Sequence, residues 1–152
     1  MKRCVRCTAT APLIERQAQL TRDVAGHLFL AFVPARVCTS CGETYFETRV
    51  VERFELHVAV CLADAGIVKG DAIRFMRKAL RMQANTLAEL VDVAPETVSR
   101  WEGDKRAVSR GASAILVGLV RDAFEGRTTT LDGLKRLQEP RTLAKTVQIE
   151  IE

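Results

Sequence analysis

The sequence predicts an α+β fold: a small α/β module over residues 1–66, an all-α domain over residues 67–139, and a tail at 140–152. Three observations predict it. Two Cys-x-x-Cys pairs, Cys4-Val5-Arg6-Cys7 and Cys38-Thr39-Ser40-Cys41, lie in the first segment. The residues between and just after them read as short strands. From Thr48 onward, apolar residues recur at three- and four-residue steps, the helical period.

Each element has its own signature. Leu13 to Asp23 is mostly polar with scattered apolar residues, which suits an exposed strand. Leu28 to Val33 is apolar and aromatic-rich and reads as a buried strand ending at Pro34. After the second cysteine pair come Gly42-Glu43 and a short strand at Thr44 to Phe46. Val50, Val51, Phe54, Val58, Cys61, Leu62 and Ala65 then form the apolar face of an amphipathic helix, which packs on the small sheet or on the second segment. Ala65-Gly66 ends that helix and Lys69-Gly70-Asp71 opens the next, with Gly suited to C′ and Asp to the N-cap. Further helices are expected at Asp71 to Arg81, Thr86 to Val91, Pro95 to Glu102, Ser109 to Phe124 and Thr130 to Leu137. Pro95 is a good helix opener. The apolar face of the Ser109 helix fits either core or a dimer seam. Beyond Pro140, Val147, Ile149 and Ile151 alternate with Gln148, Glu150 and Glu152, which fits a strand or a disordered end.

The cysteines carry the first piece of chemistry. A Cys-x-x-Cys turn points both sulfurs at one centre, and two turns supply four ligands for a tetrahedral site. Cys4, Cys7, Cys38 and Cys41 are therefore the expected ligands of one structural zinc per chain, with no position open for catalytic water. Iron in a rubredoxin-like site uses the same ligands. A redox dithiol lacks the βαβ setting such motifs need. A module of about 60 residues buries little core, and a metal is the usual supplement at that size. Cys61 falls on an apolar helix face and reads as a small buried hydrophobe. His27 and His57 are left out of the shell because four cysteines complete it.

Composition narrows the class. The apolar fraction is 47% of 152 residues, as in a globular protein, and the net charge of +4 is compatible with nucleic acid. No apolar run is long enough to span a bilayer, and the N-terminus lacks a signal-peptide core. A cytoplasmic location is expected, where reducing conditions favour thiolates over disulfides.

The second piece of chemistry lies between Leu87 and Glu102. Leu87, Ala88, Val93, Val98 and Trp101 are placed to form the core of two short crossing helices, with a sharp turn at Asp92-Val93-Ala94. That arrangement exposes the first turn and outer face of the second helix, which can enter a major groove. Glu96 and Arg100 lie four apart on that face, flanked by Thr97 and Ser99. Arg can bond a guanine edge bidentately, Glu can accept from cytosine N4, and Ser and Thr suit phosphate or base contacts. The candidate DNA contacts are Pro95, Glu96, Thr97, Ser99, Arg100, Lys105 and Arg106. Arg74, Arg77, Lys78, Arg81 and Arg110 also surround the element as candidate phosphate contacts.

The pattern ending Val98-Ser99-Arg100-Trp101-Glu102 is similar to the Xre/Cro-type helix-turn-helix. Joined to the two cysteine pairs, the second followed by Gly42-Glu43, it resembles the MqsA (YgiT-type) antitoxin family over residues 4 to 125. The resemblance implies a two-domain homodimer whose zinc module binds a toxin and whose helix-turn-helix domain binds a palindromic operator and represses its own operon. The residues themselves point to no catalysis, since there is no nucleophile–base pair, phosphate loop or open metal site. By position the resemblance makes Cys4, Cys7, Cys38 and Cys41 the ligands and Glu96 and Arg100 the base readers. Three positions depart from the family pattern: Thr8 follows the first knuckle in place of Gly, Ala94 replaces a Ser N-cap, and Ala84 replaces a Gln. Two other readings compete: a stand-alone regulator without a toxin, and a redox or metal-dependent protein using its Cys-x-x-Cys pairs.

Overall fold

The computed structural model describes residues 3–7 and 11–151. The residue following the first knuckle, Thr8, lies outside them. The chain is α+β, with a three-stranded antiparallel sheet ordered β1-β2-β3. Strand β1 (Leu13–Val24) and strand β2 (His27–Cys38) form a long hairpin, and β3 (Thr44–Tyr45) adds only at the cysteine end. The hairpin turns at Ala25-Gly26, both at positive φ (55° and 78°), as a two-residue turn matched to strand twist requires. The Ala25 amide donates to Asp71 Oδ2 at 2.7 Å, so the hairpin tip is tied to the helical segment.

Six helices follow: α1 (Thr48–Asp64), α2 (Gly70–Ala79), α3 (Ala84–Leu90), α4 (Pro95–Glu102), α5 (Arg110–Glu125) and α6 (Thr129–Gln138). Helix α1 ends as expected. Gly66 is left-handed, and the Gly66 and Ile67 amides return to the Ala63 and Leu62 carbonyls. Helix α5 is capped by Ser109, whose side chain accepts from the Ala112 amide, and closes on left-handed Gly126. The residues after α6 carry no regular structure and are exposed. No helix among the described residues is long and apolar enough to cross a membrane.

One apolar core runs from the hairpin tip through the helices. Leu20 and Val24 of β1 meet Phe54, Val58 and Leu62 of α1, and these join Ile73, Met76, Leu87, Val98, Trp101, Leu116 and Val120. Burying each such side chain contributes about 1.5–3 kcal/mol. Helix α1 packs on α2 and α5, so its apolar face serves both segments, and the α5 face that faces α1 is core within the chain.

Three local expectations are corrected. Strand β2 does not end at Pro34 and is not buried throughout. It continues to Cys38, with Leu28, Leu30, Phe32 and Pro34 exposed, because α1 covers only one face of the hairpin. Asp71 is not the cap of α2. Lys69 holds the N-cap position, and the Asp71 carboxylate is drawn away to Ala25. Cys61 is exposed rather than buried, because the inward stripe of α1 runs through Phe54, Val58 and Leu62 and leaves position 61 at its margin.

Candidate metal centre and nucleic-acid interface

The second knuckle grows out of the sheet. Cys38 closes β2, its amide donates to the Glu43 carbonyl at 2.9 Å, and the Gly42 amide donates back to the Cys38 carbonyl at 2.9 Å. Gly42 sits at φ 75°, a conformation that glycine adopts without a Cβ penalty. The first knuckle is pinned against the second from outside. Tyr45 of β3 accepts from the Val5 amide at 3.2 Å and contacts Cys4 Sγ at 3.1 Å, and Arg6 pairs with Glu43.

This brings Cys4, Cys7, Cys38 and Cys41 together, with their sulfurs all within 4.8 Å of one another. The close pairs cross between knuckles: Cys4 to Cys41 at 3.6 Å and Cys7 to Cys38 at 3.7 Å. A disulfide is about 2.05 Å long, so neither pair is one. A tetrahedral metal thiolate with bonds of about 2.3 Å has sulfur–sulfur edges of about 3.8 Å. The four sulfurs fit a structural metal site of that shape.

Electrostatics agree with a cation at the centre. The Tyr45 hydroxyl and the Cys7 amide hold the Cys4 thiol down to about 6. The Cys41 and Ser40 amides hold Cys38 below its ordinary value. The Glu43 amide favours a Cys41 thiolate, yet lost solvation and the neighbouring sulfurs push that thiol up to about 12. Amides aimed at sulfur favour thiolates, and crowding opposes the last of them. A bound cation removes that conflict.

The second cluster is built by α3 and α4. Leu87, Ala88, Val98 and Trp101 are buried as their spacing predicts, and Val93 is half-buried. The turn between the helices is tight because Asp92 takes a left-handed conformation, letting the Val93 amide reach the Ala88 carbonyl at 3.0 Å. Helix α4 starts at Pro95 after Ala94, and no side chain caps it. Pro95, Glu96, Ser99, Arg100, Lys105 and Arg106 are exposed and Thr97 is half-buried. Arg74, Glu96, Ser99, Arg100 and Lys105 line one shallow polar depression, so residues from α2, α4 and the following loop share a surface.

Two groups of candidate phosphate contacts separate here. Arg77 is buried and binds Glu102 through Nε at 2.5 Å and Nη2 at 3.1 Å, and it also donates to the Met82 carbonyl. Arg81 pairs with Glu52 at 3.0 Å across to α1. Arg77 is thus not available to a phosphate, and Arg81, though exposed, is held toward α1. Arg74 touches Glu102 at 3.3 Å but remains half-exposed. Arg100, Lys105, Arg106 and Arg110 have no ion-pair partner among the described residues.

Two positioning groups were missed in the sequence. Glu102 fastens the end of α4 to α2 through Arg77. Asp104 Oδ1 accepts the Gly70 amide at 2.9 Å, fastening the loop after α4 to the start of α2. A Cβ at Gly70 would lie 2.2 Å from Asp104 Oδ2, so this close approach needs glycine. Glu102 carried one legible signal, an acid following Trp101 next to the inward stripe. Asp104 carried none, because its partner lies in a remote segment.

No protein-family model matches the chain, and no match is found among the curated proteins. The functional reading therefore stands on the residues themselves.

Proposed function

We propose that the protein is a sequence-specific DNA-binding repressor that carries one structural zinc and acts without catalysis. The observation that carries this reading is the face of α4. Arg100 is exposed, has no ion-pair partner among the described residues, and shares a surface with Glu96, Ser99 and Lys105. Arg22, Arg81 and Arg121, which reach across to or from α1, are by contrast paired with acids. Arg100 and Lys105 share one depression and Arg106 and Arg110 the neighbouring one, and cations without acidic partners are an electrostatic footprint for phosphate. Arg100 supplies a bidentate donor for a guanine edge, Glu96 an acceptor for cytosine, and Lys105, Arg106 and Arg110 phosphate contacts.

Zinc suits the four thiolates and their spacing. Cys4, Cys7, Cys38 and Cys41 would hold it, and when bound it locks the two knuckles together without offering a reactive position. In this reading α3–turn–α4 is an Xre-type helix-turn-helix. A dimer places two α4 helices in successive major grooves of a palindromic operator. The pairing of that unit with a four-cysteine module supports an antitoxin, with the cysteine module docking a toxin.

The test is operator selection from random duplex DNA, followed by footprinting. Arg100→Ala is expected to weaken the selected site by about 1–3 kcal/mol while metal content stays at one per chain. Equal footprints from both proteins would remove α4 as the reading face. Co-purification from the native cell, with and without the Cys38→Ser change, separates antitoxin from stand-alone regulator. A small protein that co-purifies only with the intact cysteine module supports the antitoxin reading.

A further inference from the structure

Strand β2 has an unused edge. In a two-residue hairpin the pair closing the turn exchanges hydrogen bonds, and every second residue thereafter turns outward. Val24 and His27 close this turn, so Leu28, Leu30 and Phe32 direct N–H and C=O away from β1. Strand β3 pairs only at Arg36 and Val37, leaving the edge from Leu28 to Pro34 unpaired among the described residues. Pro34, which has no N–H, stands where that donor would face outward, as prolines at sheet edges do. Beside the edge runs an apolar groove of about 460 Å³, floored by Phe29, Ala31 and Val33 of β2 and by Val50, Phe54 and Val58 of α1.

The chain also carries an unused strand. From Thr146 to Ile151 it alternates polar and apolar residues, and no Pro or Gly interrupts residues 145–151. Val147, Ile149 and Ile151 are 51%, 75% and 91% exposed, and the segment has no regular structure. Three apolar side chains on one side of an extended segment match an apolar groove beside an open edge. The free edge and the segment are of equal length. Of the segment's two charges, Lys145 lies outside the span of the apolar stripe and Glu150 within it, and the groove rim carries Arg53, which has no ion-pair partner among the described residues.

We infer that the 145–151 segment of a second copy adds to the β2 edge, with Val147, Ile149 and Ile151 laid into the groove. Within one chain that segment lies exposed and unpaired with the edge, which leaves the edge open to a second copy's segment. Reciprocal exchange between two copies closes into a symmetric dimer. This dimerisation does not depend on DNA binding or on a toxin.

Hydrogen–deuterium exchange of the full metal-loaded chain tests it, read at the Leu28, Leu30 and Phe32 amides over a range of protein concentration. The expected result is protection that grows with concentration by at least tenfold. It is lost in a chain ending at residue 144 and in Ile149→Lys. It returns when a peptide of residues 145–152 is added to the shortened chain. Because the altered residues are exposed, circular dichroism and metal content stay unchanged in both variants. Protection that survives removal of the segment, protection independent of concentration, or no protection at any concentration would each overturn the inference.

Discussion

The cysteine end and the helical body are stabilised in different ways. Around the knuckles the buried residues are Cys4, Ala35 and Cys38, and little apolar surface backs them. In the helical body, residues from five helices close around Val98 and Val120, and a buried Arg77–Glu102 pair is added to that core. The first region rests on a four-sulfur cluster that fits one metal centre, the second on many small contacts. Damage to one ligand should therefore collapse the first region as a unit, whereas the second should fail by increments.

The largest expected effect follows directly. Cys38→Ser removes one of the four sulfurs at the residue where β2 ends and the second knuckle begins. Metal content should fall to near zero and the β3 pairing should disappear, while the helical circular dichroism signal persists. A variant that keeps full metal content would erase the contrast between the regions.

Next is the exception within the helical body, where one directional bond pair matters. Glu102→Ala leaves the Arg77 guanidinium buried without its partner, which costs about 3–5 kcal/mol in comparable cases. Chemical denaturation of the metal-loaded protein measures this. A loss below about 1 kcal/mol would mean that water reaches Arg77, and that packing alone positions α4.

A smaller effect concerns α6, whose start is tied to α5 by a carboxylate. Asp122 Oδ2 accepts the Thr130 amide at 2.6 Å. That bond, assisted by the Thr130 hydroxyl and by Arg127, holds the Asp122 pKa below the usual carboxylate value. A lowered folded-state pKa means stabilisation that is present above the ordinary value near 3.8 and lost as pH falls through the folded one. Amide exchange in α6 should accelerate in that acid range while α5 stays protected. Asp122→Asn should show the faster exchange already at neutral pH.

The smallest effect lies at the hairpin tip, where neither strategy operates. Ala25 holds a left-handed conformation that costs an ordinary L-residue about 1–2 kcal/mol. Ala25→Asn creates the Asn-Gly pair such turns favour and should stabilise the protein by about 0.5–1 kcal/mol. The melting temperature of the metal-loaded chain reports it, and a decrease would show that Asn disturbs the amide bonded to Asp71.

What could be read in advance depended on how local the cause was. The four-cysteine cluster was legible because knuckle spacing itself aims the sulfurs. Helix α4 was legible because Pro95 opens it and the Val98–Trp101 spacing buries one face, and Gly66 and Gly126 marked helix ends for steric reasons. Asp71 and Asp104 were not legible, since each satisfies an amide many residues distant. The roles of Arg77 and Arg81 were hidden for the same reason, as charge alone does not tell a phosphate contact from an internal ion pair. The exposure of Leu28, Leu30 and Phe32 was hidden differently. An apolar strand looks the same whether one face or both are covered.

The hairpin's two anchorages have a mechanical consequence. Twelve residues of extended chain reach about 40 Å. One end enters the cysteine knuckle and the other is held to α2 by Asp71. A ribbon gripped at both ends behaves as a bridge rather than a springboard. Between the grips, Leu20, Val24 and the Arg22–Glu55 pair hold it to α1, so releasing one grip frees that end alone.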